Sequence, residues 1–172
     1  RLCVNCYRRN TVDPVQSGAY AGRRNCMASK VLLINANRCT TPDPVFPLGL
    51  THLSAALRHA GHSSAWLDRL ANMDQFDEMI DAYRPDAVGI SLRNIDDVLI
   101  GKQETFFDDA ISLGARIRHK TPCPIIVGGS GFSIFPQRLL ELAGADFGIC
   151  GEGETGLVSL IAALEKGGGF AG

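Results

Sequence analysis

The sequence predicts a doubly wound α/β fold, in which a five-stranded parallel sheet is covered by helices on both faces. Five short apolar runs recur along the chain, and each run is typical of a strand that is buried on both faces. Segments with a helical spacing of apolar residues separate these runs, and this alternation predicts parallel strands joined by right-handed crossovers. For five such units the expected strand order is 2-1-3-4-5, which is the flavodoxin-like, Rossmann-like arrangement.

Each element of this fold rests on a local pattern. The predicted strands are 31–34, 65–67, 87–90, 125–127 and 147–150. The predicted helices carry apolar residues at helical spacing, and Gly61, Pro85, Pro122, Gly144 and the glycines from 167 follow them as stop signals. Their apolar faces are, in chain order, Leu50, Leu53, Leu57 and Ala60; Phe76, Met79, Ile80 and Tyr83; Phe107, Ala110, Ile111 and Ile117; Leu139, Leu140 and Ala143; Leu157, Leu160, Ile161 and Leu164.

Composition excludes several classes of protein. The 172 residues suit one domain, and 17 basic against 18 acidic residues leave a net charge of −1. Without a basic cluster, a nucleic-acid-binding surface is not expected. No apolar run approaches the roughly 18–20 residues that a membrane span needs, and no secretory signal is visible. A cytoplasmic location is therefore expected.

Residues 1–29 show neither the apolar period of a strand nor that of a helix, and they are expected to form a poorly ordered extension. Met27 would be a natural translation start. Cys3 and Cys6 form a CxxC motif that Cys26 follows, but a structural zinc site needs four ligands, so no metal site is predicted. A CxxxCxxC motif for an iron–sulfur cluster does not occur.

Function is expected at the carboxyl ends of the strands, where four elaborate loops would meet. These loops follow the first, third, fourth and fifth predicted strands, and two of them are rich in glycine, which lets a ligand approach the backbone. Val45, Phe46, Ile95 and Phe132 could cover an apolar part of a bulky ligand. The alternative is that the residues of these loops only form ordinary turns between strands and helices and bind no ligand.

Nucleotide-binding motifs are missing from these loops. The GGSG stretch at 128–131 is not GxGxxG and follows the fourth strand, and no P-loop occurs. Pro42, Pro44 and Pro47 stiffen the first loop, which disfavours a flavin phosphate site there.

Six stretches carry a family resemblance: PLGL at 47–50, GH at 61–62, DAVGIS at 86–91, RNID at 93–96, GGSGFS at 128–133 and GEGE at 151–154. On these residues, over roughly 30–164, the sequence resembles the N-terminal cobalamin-binding domain of cobalamin-dependent radical S-adenosylmethionine enzymes. The resemblance implies that the corrin lies on the strand ends and that its dimethylbenzimidazole tail enters the sheet beside Ser91, Gly128 and Gly129. It also implies that Glu152 and Glu154 flank the corrin rim, although acidic residues are equally typical of a helix start. The implied contact residues are Asn37, Arg38, Val45, Phe46, Leu48, Gly49, Ser91, Arg93, Asn94, Ile95, Asp96, Gly128, Gly129, Ser130, Gly131, Phe132, Gly151, Glu152, Gly153 and Glu154.

The sequence departs from one branch of cobalamin proteins, because the Asp-x-His-x-x-Gly motif whose His ligates cobalt is absent. His52 is off the apolar stripe of its helix and is expected at the surface. The resemblance therefore implies base-off cobalamin without a protein histidine. Arg38, Arg93 or water could occupy the lower face of the corrin.

The resemblance also implies a larger enzyme. The 4Fe–4S cluster and S-adenosylmethionine would bind a separate C-terminal radical SAM domain, to which 166–172 would be the linker, while 30–165 would be the cobalamin-binding domain. The parent enzyme would methylate a small-molecule substrate, and this chain alone would bind but not catalyse.

Two other functions stay open on the same fold. A flavodoxin-like electron carrier would need rim aromatics to hold FMN, yet Trp66 and the three Tyr lie outside the rim loops. A cofactor-free regulatory module similar to a receiver domain would need acidic residues where Asn35, Asn37 and Ser91 stand.

Overall fold

The computed structural model describes residues 28–40, 43–94 and 107–166, together with the backbone of 6–8. Within these residues the strands are β1 Cys6–Arg8, β2 Lys30–Asn35, β3 Ser63–Asp68, β4 Ala87–Ser91, β5 Ile125–Gly128 and β6 Phe147–Ile149. The α-helices are α1 Leu48–His59, α2 Phe76–Tyr83, α3 Phe107–Lys120, α4 Pro136–Leu142 and α5 Gly153–Glu165. Short 3-10 helices cover Met73–Gln75 and Phe132–Ile134.

All strands belong to one sheet with the order β1-β6-β5-β4-β2-β3. The pairs β2–β3, β2–β4, β4–β5 and β5–β6 are parallel, so the five predicted strands and their 2-1-3-4-5 order are confirmed. The addition is β1, which pairs antiparallel with β6 and makes the sheet mixed rather than wholly parallel. β1 lies within 1–29, which the sequence predicts to be a poorly ordered extension, and a three-residue strand is too short to show an apolar period.

The sheet separates two apolar layers, as a doubly wound fold requires. Leu32 and Ile34 of β2 face a layer that contains residues of α2, α3 and α4. Val31 and Leu33, which alternate with them, face a second layer that contains residues of α1 and α5. Every residue of β2 from Val31 to Asn35 is buried, which explains the continuous apolar run.

Local stop signals end the helices where the sequence predicts. Gly61, at a φ of +90°, follows α1, and Arg84 adopts a left-handed conformation immediately before Pro85, which ends α2. In α3 the buried apolar side chains are Ala110, Leu113 and Ile117, while Ile111 is 39% exposed, so its predicted core position is wrong. None of the helices in the described ranges is long and apolar enough to cross a membrane.

Candidate functional site

A cavity of about 230 Å³ opens at the carboxyl edge of the sheet, between α1 and α5 and over β2, β4, β5 and β6. Its walls are apolar side chains from these elements, namely Leu33, Leu50, Leu53, Ile126, Ile149 and Leu157. Ser91, Glu152 and Glu154 are the polar side chains of its lining. The lining also includes Ile90, Val127 and six glycines: Gly49, Gly89, Gly128, Gly129, Gly151 and Gly153.

The glycines keep the floor of this cavity open. Gly89 shares a sheet face with Ala87 and Ser91 on β4, and a Cβ at Gly89 would lie 2.9 Å from Cδ2 of Leu33. A Cβ at Gly128 would lie 3.2 Å from the carbonyl oxygen of Ile149. At Gly49, on the first turn of α1, a Cβ would meet nothing within 4 Å. Side chains on the floor would therefore crowd the walls, whereas a side chain at Gly49 would extend into open space.

Backbone hydrogen bonds join the loops after β4 and β5. The amide of Leu92 donates to the carbonyl oxygen of Gly128 over 2.8 Å, and the amide of Gly131 donates to the carbonyl oxygen of Leu92 over 2.9 Å. The hydroxyl of Ser130 donates to the carbonyl oxygen of Arg93 over 3.0 Å. Gly129 has a φ of +104°, and a Cβ there would lie 2.5 Å from the Leu92 carbonyl oxygen. Gly128 and Gly129 thus differ in their roles. Gly128 belongs to the open floor of the cavity, whereas Gly129 permits the loops after β4 and β5 to approach each other closely.

A single hydroxyl then joins the loops after β5 and β6. Ser133 Oγ donates to the carbonyl oxygen of Gly129 over 2.9 Å, and it accepts from the amide of Gly151 over 2.9 Å. Burial raises the pKa of the neighbouring Cys150 thiol, and a side-chain hydrogen bond from Ser133 opposes that rise. Gly151 has a φ of +76°, which favours glycine at this turn. Ser133 is a positioning residue that the sequence analysis did not single out.

Eight of the twenty sequence-predicted contact residues line the cavity: Gly49, Ser91, Gly128, Gly129, Gly151, Glu152, Gly153 and Glu154. Three others lie exposed on the rim beside α1, and Val45, Phe46 and Leu48 are 46%, 61% and 61% exposed. The Phe46 ring meets the Trp66 ring edge to face, with 6.3 Å between the centroids. These residues expose apolar surface immediately before Gly49, which lines the cavity.

The loop after β2 is held by its own polar contacts. Asn37 is buried, and its Oδ1 accepts from the amide of Cys39 over 3.2 Å. Arg38 Nε lies 2.9 Å from Oδ2 of Asp109, whose other oxygen lies 2.8 Å from Nη2 of Arg69. Asp109 is on α3, which packs on the sheet face opposite to the cavity. Arg38 is therefore engaged away from the cavity.

The remaining predicted residues divide into three groups. Arg93 is exposed and Asn94 half-buried just beyond the end of β4, while Ser130 and Gly131 serve the loop contacts described above. Phe132 is fully buried in the apolar layer of α2, α3 and α4, so the expectation that it covers a ligand is wrong. Its ring occupies the space beside Gly148, where a larger residue would exclude it. Ile95 and Asp96 lie outside the described residues.

Several residues that line the cavity were not predicted as site residues from the sequence. Among them are the wall residues Leu53, Ile149 and Leu157 and the floor residue Gly89. Gly89 offered a signal, because glycine inside a buried strand marks a close approach by a ligand or another chain segment. The wall residues offered none, since in sequence they are ordinary members of helix and strand core faces.

The arrangement suits a largely apolar ligand with few polar groups. The charged side chains of the cavity lining are two carboxylates, which disfavour an anionic group there. Among the described residues, no group of three or more His, Cys, Asp or Glu could hold a metal ion. His52, as expected, is exposed on α1.

Comparison with known proteins agrees with this geometry. Residues 35–161 match the B12 binding domain family. A tryptophan 2-C-methyltransferase from Streptomyces laurentii is 33% identical over 141 residues, which are 80% of this chain and 23% of the relative. The structure of the radical S-adenosylmethionine methyltransferase TsrM from Kitasatospora setae, with cobalamin and a 4Fe–4S cluster bound, matches with a TM-score of 0.73 and 33% identity, covering 82% of this chain and 25% of that one.

A cobalamin-binding protein from Desulfitobacterium hafniense shares the fold, with a TM-score of 0.56 at 14% identity, over 80% of this chain and 59% of that protein. The chain spans about a quarter of the length of its methyltransferase relatives. Because the family match covers most of the chain, including every strand end that lines the cavity, this chain belongs to the B12 binding domain family.

Proposed function

We propose that this chain binds cobalamin at the carboxyl edge of its sheet, as the cofactor module of a larger radical SAM methyltransferase. In this proposal the dimethylbenzimidazole tail occupies the cavity between α1 and α5. The observation that carries the proposal is that cavity, which has a floor of glycines, apolar walls and Ser91 at the end of β4.

The cavity fits the tail in shape and chemistry. A flat aromatic base needs apolar walls and a floor without side chains, which Gly89 and Gly128 supply. The ring nitrogen of a displaced base is an acceptor, and the half-buried Ser91 hydroxyl is a donor that lines the same cavity.

The corrin is assigned to the rim above the cavity. Val45, Phe46 and Leu48 expose apolar surface there, and Glu152 and Glu154 supply acceptors at the mouth. The carboxylates suit the amide N–H groups at the edge of a corrin, since a carboxylate is an acceptor only.

We assign the lower face of the corrin to Arg93 in preference to Arg38. Arg38 is engaged by Asp109, whereas Arg93 is exposed two residues beyond Ser91. With no histidine in the cavity lining, cobalamin is proposed to bind base-off and without a histidine ligand. When bound, cobalamin supplies the methyl-transfer chemistry, and this chain's residues hold the cofactor and shield its tail from water.

Catalysis is assigned to the rest of a longer protein. The methyltransferase relatives are about four times as long as the matched region, and TsrM contains an iron–sulfur cluster as well as cobalamin. We propose that a following radical SAM domain binds the cluster, S-adenosylmethionine and the small-molecule substrate, and that this chain alone is not catalytic.

The test is a titration of the purified chain with hydroxocobalamin, followed by desalting and an ultraviolet–visible spectrum. We expect retained cofactor with a base-off spectrum. Gly49→Trp, which places a ring into the open cavity mouth, should abolish retention, and Ala55→Trp on the exposed side of the same helix should not. Arg93→Ala should shift the spectrum of the retained cofactor.

Colourless protein after desalting, from a sample that circular dichroism shows to be folded, would refute cobalamin binding. A base-on spectrum would refute the placement of the tail. Parallel desalting with FMN tests the electron-carrier alternative, and retained flavin would favour that function over the one proposed.

A further inference from the structure

The chemical character of the cavity walls bears on which corrinoid the chain accepts. Resting on the proposed tail placement, we infer that the cavity selects the lower base, accepting a benzimidazole and rejecting a purine such as adenine. The selection follows from the number of hydrogen-bonding groups that the interior can satisfy.

The interior offers little polarity. The wall residues Leu33 and Ile126 are only 2% and 3% exposed, so the floor between them is shielded from water. The backbone there is already used, because β4 pairs with β2 through Gly89 and Ile90 and with β5 through Ile90 and Ser91. One hydroxyl, that of Ser91, is the uncharged polar side-chain group of the lining.

A benzimidazole matches this supply. Once one of its nitrogens is bonded to the ribose, a single ring acceptor remains, and one hydroxyl donor satisfies it. Its remaining edge is hydrocarbon, which suits the leucine and isoleucine walls.

Adenine does not match it. Its exocyclic amine and additional ring nitrogens would enter the same apolar space, and the Ser91 hydroxyl can donate to only one of the ring nitrogens. Glu152 is exposed and Glu154 half-buried at the start of α5, so their carboxylates lie at the mouth and not on the floor. Buried polar groups without partners weaken binding, and we expect a loss of affinity of about tenfold or more.

The experiment compares three corrinoids on the purified chain: hydroxocobalamin, the same corrin carrying adenine as lower base, and cobinamide, which lacks the nucleotide. Affinities come from absorbance titrations. We expect hydroxocobalamin to bind about tenfold or more tightly than the adenine form, and the adenine form to gain nothing over cobinamide.

A matched pair of variants tests the cause. Leu53→Gln places a donor and acceptor on the partly buried wall of α1 and should narrow the preference severalfold by favouring the adenine form. Ala55→Gln, exposed on the same helix, should leave the preference unchanged. Urea denaturation confirms that both variants are folded.

The results distinguish a failure of base selection from a failure of cobalamin binding. If hydroxocobalamin and the adenine form bind equally, or if the Leu53 variant keeps the full preference, the selection inference is wrong while cobalamin binding stands. If no corrinoid binds to the folded chain, the proposed function and the inference fail together.

Discussion

Gly148, in the middle of β6, faces a fully buried aromatic ring, and this contact supports a quantitative prediction. A Cβ at Gly148 would lie 3.0 Å from Cε1 of Phe132 and still closer to Cζ, whereas carbon atoms pack best at about 3.5–4.0 Å. Phe132 is 0% exposed, so the ring has no free space and must push its neighbours aside. Overpacking of this kind costs about 1–3 kcal/mol, and the reduced freedom of the unfolded chain returns about 0.5 kcal/mol.

We therefore expect Gly148→Ala to lower the free energy of unfolding by about 1.5 kcal/mol. Phe132→Leu alone should cost about 1–2 kcal/mol, because it removes part of a buried ring. In the double variant the smaller side chain leaves room for the new methyl group. Its stability should therefore be close to that of Phe132→Leu alone, which gives an interaction energy of about 1–2 kcal/mol.

The assay is urea denaturation followed by circular dichroism for the four proteins of this cycle. Gly49→Ala is the control, because its Cβ meets nothing within 4 Å and alanine favours a helix over glycine by up to about 1 kcal/mol. Additivity of the two single changes within about 0.5 kcal/mol would refute the proposed steric conflict.

Two further predictions concern the other face of the sheet. Asp109→Asn should lower the free energy of unfolding in urea by about 2 kcal/mol, because Arg38 and Arg69 lose the carboxylate that they share. Asp108→Asn, exposed on the same helical turn, should change it by less than about 0.5 kcal/mol, and equal effects would contradict the pairing. Burial raises the pKa of the Cys123 thiol above the ordinary 9.0, so the unfolded chain releases this proton first as the pH rises. The free energy of unfolding, measured in urea titrations, should keep this contribution below about pH 9 and decline above it. Cys123→Ala should reduce that decline. If the decline is unchanged in the variant, groups other than Cys123 cause it.

The sequence predicted the parallel strands well, because a strand buried on both faces must be apolar throughout. Val31 to Ile34 shows this, since its alternate residues belong to two different core layers. The three residues of β1 carry no such requirement. Only the backbone partner at β6 defines β1, and that partner lies far along the chain.

For the site, motif reasoning singled out the loops after β5 and β6, whose residues line the cavity, but it did not predict the direction of each side chain. It placed Gly128 and Gly129 together, yet a Cβ at Gly129 would meet the carbonyl oxygen of Leu92 in a neighbouring loop, whereas a Cβ at Gly128 would meet that of Ile149 beside the cavity. The direction of Phe132 was also missed. Its ring is buried in the core because it packs against Gly148 of β6. Arg38 pairs with a carboxylate on α3, and long-range pairing of this kind leaves no local pattern.

The pairing of the short strand β1 with β6 also limits the edges of the sheet at which another chain could associate. An unpaired edge strand presents free backbone donors and acceptors and acts as a template for strand addition. With β1 paired to β6, the strands nearest the cavity have neighbours on both sides, and among the described residues β3 is left as the long open edge. β3 lies at the far end of the sheet, separated by β2 from the strands whose ends line the cavity with Ser91 and Gly128. Edge-to-edge association through β3 would thus leave the mouth of the cavity accessible.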